Sequence, residues 1–311
     1  MKLRPSAAPV PDGISVRVLQ ETVDAISKPL SLLFSSSLED GIVPDVWKHA
    51  NVTPVFKKGS KTSPGNYRPI SLTCIICKVM ESLIRDAITK HLSEHALIQA
   101  SQHGFTERKS CLTNLLEYLE VLTKLVDEGH STDIIYLDFA KAFDKVPHRR
   151  LSLKLQAHGI TGKILQWIEA WLTERKQRVV LNGKCSQWRP VESGVPQGSV
   201  LGPTLFVIFI NDIDDAVNTV TGIISKFADD TKVGRPVNNI QDWDQLQQEI
   251  NNLVSWAESW QMSFNAGKCK VLHLGKKNKK FNYHMGGFAP GGQILEETTE
   301  EKDVGVQVTN S

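Results

Sequence analysis

The chain has 311 residues, 41% of them hydrophobic, and a formal net charge of +2. That length and composition support a sizeable core, in one to three domains or a single lobed one, and read as an ordinary globular sequence. No apolar run approaches the roughly 20 residues that span a bilayer, and the start MKLRPSAAPVPDG has no hydrophobic signal core. The expectation is therefore an intracellular protein without membrane contact, with nucleus and cytoplasm both open.

The charge is unevenly spread. Between Val46 and Met80 stand six basic residues (Lys48, Lys57, Lys58, Lys61, Arg68, Lys78) and no acid, which points to phosphate binding. A second cluster, Lys276 to Lys280, reads equally as a solvated face or a nucleic-acid contact. The five cysteines show no disulfide framework and fit a reducing compartment. Cys74 and Cys77 have metal-like spacing but stand alone among Ile75, Ile76 and Val79, so they read as core thiols, as does Cys269 near His273.

In chain order, the turn Pro11-Asp12-Gly13 is followed by helical spacing over Val16 to Leu38, interrupted near Pro29 and closed by Gly41 and Pro44. A strand is predicted around Val52 to Phe56, then a loop rich in Lys, Gly and Ser, then an extended segment at Tyr67 to Leu72. Helices are predicted over Ile75 to Leu92 and from an N-cap at Ser110 to about Asp127. In the second, Leu112, Leu115, Leu116, Leu119 and Leu122 form one apolar stripe, and Gly129 is the stop.

The strand Ile134 to Leu137 runs into Asp138. Two short helices follow, marked by Pro147 and by Trp167, Ile168, Trp171 and Leu172. Next comes a hairpin turning at Asn182-Gly183, then a helix from Pro203 through Ile213. Ile223, Ile224 and Phe227 lead into Asp229-Asp230, which reads as the tip of a second hairpin returning through Thr231 and Val233. A helix from Asp242 to Trp260 and a strand at Val271 to Leu274 complete the order. Strands and helices in irregular succession favour α+β.

Carboxylates that end neighbouring strands can share a metal site. Hard cations such as Mg²⁺ take oxygen ligands at about 2.1 Å, and two of them about 3.5 to 4 Å apart suit phosphoryl transfer. Taken alone, Asp229-Asp230 is weak evidence, because adjacent acids at a hairpin tip are usually just turn chemistry.

The ensemble carries more weight. In order the chain shows NYRPISL, QHGFTERKSC, YLDFAKAFDKV, SGVPQGSVLGP, FADDT and FNAGKCKVLHLG. These blocks resemble those of a reverse transcriptase, and their wording is similar to LINE-type retrotransposons without long terminal repeats, of the jockey and chicken-repeat kind. The resemblance runs from about Asp12 to Val308.

The resemblance implies an α+β fold, the palm and fingers of a right-hand polymerase, with an antiparallel palm sheet backed by helices. Residues 1–44 would be an N-terminal extension. The reverse transcriptase domain would follow over 45–311, with fingers near 45–130 and 147–195 and palm near 131–146 and 196–311. The implied activity is nucleotidyl transfer by an RNA-directed DNA polymerase, with RNA template, DNA primer and dNTPs as partners and two Mg²⁺ as cofactor, Mn²⁺ substituting.

Carried over residue by residue, Asp138, Asp229 and Asp230 match the metal-binding acids. Phe143 matches the aromatic against the incoming sugar, and Gln197 with Gly198 matches the element approaching nucleotide and template. Lys57 or Lys58 and Arg68 match the grip on the triphosphate. Lys268 matches the lysine that protonates pyrophosphate, with Lys270 as a competitor. Bland readings stand beside these: a core phenylalanine for Phe143, a surface lysine for Lys268, and a packed or capping histidine for His103.

Relatives of this kind carry an endonuclease before the polymerase and a thumb after it, for which this length has no room. One alternative is therefore a catalytically silent remnant that retains nucleic-acid binding. A second is a two-metal nuclease using His148 as base, which leaves the PQG and YRPIS segments unexplained.

Overall fold

The computed structural model describes residues 10–218, 222–286 and 292–310, so the Pro-rich start before Val10 lies outside it. The chain opens with α1 (Val16–Glu21), capped by the Ser15 hydroxyl on the Val18 N–H, and α2 (Val23–Asp40). The break falls at Thr22, whose hydroxyl donates to the Val18 carbonyl at 2.7 Å. The expected interruption at Pro29 does not occur. Pro29 sits inside α2, where the missing N–H removes one bond, and the helix runs on to Gly41 at φ +65°. Packing holds it, because Phe34 and Ser37 are buried and Ser37 accepts the Trp167 indole N–H.

Next come β1 (His49–Phe56), β2 (Tyr67–Thr73), α3 (Ile75–Glu94) and α4 (Cys111–Asp127). Ser110 and Thr113 cap α4 reciprocally. The expected leucine stripe is only partly the buried face, since Leu112 and Leu116 are exposed while Asn114, Leu115, Tyr118 and Leu122 are buried. Asn114 faces inward because its amide donates to the Ser225 hydroxyl and the Lys226 carbonyl, a polar attraction that apolar periodicity does not register.

After β3 (Thr132–Leu137) follow α5 (Ala142–Lys145), α6 (His148–Ala157), α7 (Gly162–Leu172), β4 (Arg175–Leu181), β5 (Lys184–Cys185) and β6 (Arg189–Val191). Asn182 and Gly183 both have positive φ, as a tight hairpin turn requires. Helix α8 (Gly202–Phe209) ends before the expected Ile213, and Asn211–Ala216 tightens into a 3₁₀ turn. The chain continues through β7 (Ile223–Phe227), β8 (Asp230–Pro236), α9 (Ile240–Ser259) and β9 (Lys270–Leu274). The last strands are β10 (His284–Met285), β11 (Gln293–Ile294), β12 (Glu296–Thr298), β13 (Glu300–Asp303) and β14 (Val306–Thr309).

The chain divides into two compact units. One takes the residues up to Leu97 with Val146–Ile208, and its sheet has the order β2-β1-β4-β5 with β6 on β4. Its core includes Trp167 and Trp171, stacked at 6.2 Å.

The other unit takes Ile98–Lys145 and the chain from Phe209 onward. Its sheet has the order β12-β9-β3-β8-β7. It is antiparallel through the centre, with β12 added parallel at the edge. Tyr118 and Leu122 of α4 pack on Ile134, Leu272 and Leu274 of this sheet, and Leu246, Ile250 and Leu253 of α9 are fully buried. Among the described residues no helix is long and apolar enough to cross a membrane.

Candidate active site

Strands β7 and β8 meet in a two-residue turn, Ala228-Asp229, with Phe227 and Asp230 as the last pair. Ala228 takes φ +56°, the sign a tight hairpin needs. Asp229 is thus in the turn and Asp230 opens β8. In the neighbouring ladder Leu137 and Thr231 are the last pair, so Asp138 follows immediately after the end of β3 and Asp230 immediately precedes Thr231 in β8. Asp138 and Asp230 line one cavity together with Lys232, Lys268 and Asp303, whereas Asp229 is not among its lining residues.

The end of β3 is held from the side. The Asn265 N–H donates to the Asp138 carbonyl at 2.7 Å, the Asp138 N–H donates to Cys269 Sγ at 3.4 Å, and Phe139 stacks on Phe264 at 4.4 Å. This docking brings Lys268 Nζ to 3.7 Å from Asp138 Oδ1. Lys270 is instead bonded to Glu296. Burial pushes the Cys269 thiol up to about 11, so it packs as a neutral S–H, and His273 turns to Asp133 at 2.7 Å.

Phe143 lies half-buried in α5, edge-on to Phe105 at 6.4 Å. His103 is buried between Thr113 Oγ1 at 2.9 Å and Glu117 Oε2 at 3.1 Å, a packing role as its plain reading had it.

In the first unit Lys57, Lys58 and Arg68 are exposed at the β1–β2 hairpin, where Arg68 pairs across from Val55. The Gln197 carbonyl accepts the Ser71 N–H at 2.7 Å. Gly198 has φ +104°, and a Cβ there would meet the Ser71 carbonyl at 2.7 Å, so only glycine fits. His148 Nε2 donates to the Gly194 carbonyl at 2.8 Å, and burial lowers its pKa.

Residues 55–289 match the family described as Reverse transcriptase (RNA-dependent DNA polymerase). The chain belongs to the reverse transcriptase family. It is 30% identical over 318 residues to the RNA-directed DNA polymerase from mobile element jockey of Drosophila funebris, covering 100% of this chain and 34% of that protein. With the jockey polymerase of Drosophila melanogaster it shares 30% over 275 residues, covering 86% and 30%. This reverse transcriptase chain thus spans about a third of the length of these curated relatives. An apo telomerase structure from Candida tropicalis matches with TM-score 0.59 at 12% identity, covering 92% of this chain and 59% of that one, which shows the fold.

The units of this reverse transcriptase hold the expected site residues as two sets. Asp138, Asp229, Asp230, Phe143 and Lys268 lie in one; Lys57, Lys58, Arg68, Gln197 and Gly198 lie in the other. Sequence reasoning missed Lys232, Asp303, Gln102 and Glu81. Glu81 is fully buried in α3 and accepts the Val200 and Leu201 N–H groups at 2.7 and 3.2 Å, fixing the loop after Gly198. Its only sequence signal is an acid between Met80 and Ile84 on an apolar helix face.

Reverse transcriptases generally use divalent metal ions. Among the described residues no group of three His, Cys, Asp or Glu is gathered as a metal site. The donor set nevertheless suits a hard cation, because the carboxylates of Asp138 and Asp230 line one cavity and offer oxygen ligands.

Proposed function

We propose that this chain carries out RNA-templated addition of deoxynucleotides to a primer 3′ end. The observation that supports this most is that Asp138, just past the end of β3, and Asp230, at the start of β8, line one cavity, with Lys268 Nζ 3.7 Å from Asp138. Asp138 and Asp230, with Asp229 from the adjoining turn, would hold two Mg²⁺ or Mn²⁺ ions. Bound there, the ions would supply activation of the primer hydroxyl and charge neutralisation on the triphosphate. Catalysis otherwise comes from position and fixed charge.

Lys268 would give a proton to the departing pyrophosphate; its exposed side chain brings the ammonium to 3.7 Å from the Asp138 carboxylate. Phe143 covers the sugar and leaves no room for a 2′-hydroxyl. Arg68, with Lys57 or Lys58, grips the triphosphate, the planar guanidinium offering paired donors. Gln197 and Gly198 bring backbone close to the nucleotide. RNA template, DNA primer and dNTPs are the substrates.

The test is primer extension on poly(rA) with oligo(dT), beside a gel shift. Extension is expected in the parent chain and a loss of about a thousandfold in Asp229→Asn. Binding without extension in the parent would favour a silent remnant.

A further inference from the structure

The motif Gln102 to Phe105 has no part in the chemistry above, yet it holds the turn that carries Asp229. The segment lies along the outer edge of β7. The Lys226 N–H donates to the Ser101 carbonyl, the His103 N–H donates to the Lys226 carbonyl, both at 2.9 Å, and Gln102 bridges Lys226 in parallel. The Gln102 side chain then turns inward. Its Oε1 accepts the Gly104 N–H at 2.8 Å and the Ala228 N–H at 2.9 Å.

Two observations show that this contact is specific. Gln102 is 1% exposed, and its Nε2 finds no hydrogen-bond partner among the described residues, so the amide is kept for its oxygen at the expense of a stranded donor. A Cβ at Gly104 would lie 2.2 Å from the Ala228 nitrogen, so the backbones touch directly. The strut is itself anchored, because His103 is held by Thr113 and Glu117, and Lys226 is bonded to Asp214.

We propose that Gln102 is a positioning residue for the carboxylates: by accepting the Ala228 N–H it holds the left-handed residue before Asp229 in place and thereby sets where Asp229 and Asp230 present their oxygens. This rests on the reading of those acids as cation ligands. Shape alone would be served by methionine at position 102, which is of similar length but offers only a weak sulfur acceptor in place of the amide oxygen.

The test is Mn²⁺ binding to the full chain, followed by electron paramagnetic resonance without nucleotide or primer. Gln102→Met, shown folded by circular dichroism, is expected to weaken Mn²⁺ by about tenfold or more, whereas Gln102→Glu, which keeps an acceptor, stays within about threefold. Mn²⁺ binding by Gln102→Met equal to that of the parent overturns the proposal. Binding that Asp229→Ala leaves unchanged overturns the cation reading, and this role with it. In the unaltered chain the Ala228 amide should exchange slowly with deuterium. Exchange as fast as in an open turn overturns the proposal however the variants behave.

Discussion

Lys232 and Asp303 form a buried ion pair that closes the β13–β14 hairpin onto the central sheet. Their side chains are 4% and 6% exposed, and the Lys232 ammonium also donates to Asn114 Oδ1 at 3.0 Å and lies 3.9 Å from the centre of the Tyr118 ring. Burial lowers the lysine pKa, and the bond to Asp303 opposes that shift. Both residues line the cavity that holds Asp138 and Asp230.

Removing one partner strands the other charge away from water. Lys232→Met should cost about 3 to 5 kcal/mol in urea denaturation. The double variant Lys232→Met with Asp303→Leu should recover more than half of that. A single variant that loses under about 1 kcal/mol would contradict the pairing.

Gly198→Ala tests the loop that carries Gln197. The added methyl meets the Ser71 carbonyl while φ stays at +104°, so about 1 to 3 kcal/mol of stability should be lost. Hydrogen exchange should quicken at the Ser71 amide, which donates to Gln197. Unchanged protection there would reject the argument.

Phe143→Ala should raise ribonucleotide incorporation relative to deoxyribonucleotide by about tenfold or more. Phe105→Ala should shift the same ratio by less, because Phe105 meets only the edge of Phe143. Competition between ATP and dATP in extension reads both. Sugar selectivity that Phe143→Ala leaves intact would return that ring to an ordinary core role.

Acid should weaken the fold through His148. Burial sets its folded pKa below the ordinary 6.5, so the folded state binds fewer protons than the unfolded chain. Its contribution is therefore fully present above 6.5 and is lost as pH falls through the lower folded value. The urea midpoint should drop between about pH 7 and about pH 5, and by less in His148→Gln. An equal drop in both proteins would exclude His148 as the source.

Much of the fold was legible from neighbours in sequence. Asn182-Gly183 marks its hairpin because both positions need positive φ, and Ser110 marks the start of α4 because its hydroxyl caps an N–H three residues on. The leucine stripe of α4 was misjudged for the converse reason: Asn114 is drawn inward by Ser225 and Lys226, more than a hundred residues away. Glu81 and Gln102 escaped notice likewise, as an acid on an apolar helix and an amide in a loop have no local pattern that names their partners.

By itself the sequence determined the family and much of the order of strands and turns, and it proposed the acids, because blocks such as FADDT and SGVPQGSVLGP depend only on adjacent residues. Only the tertiary structure decided that Asp138 and Asp230 line one cavity, that Lys268 rather than Lys270 reaches Asp138, and that Gln102 supports Ala228. Those facts depend on strand register and on which desolvated polar group finds a partner, and both are settled by packing between segments far apart in the chain.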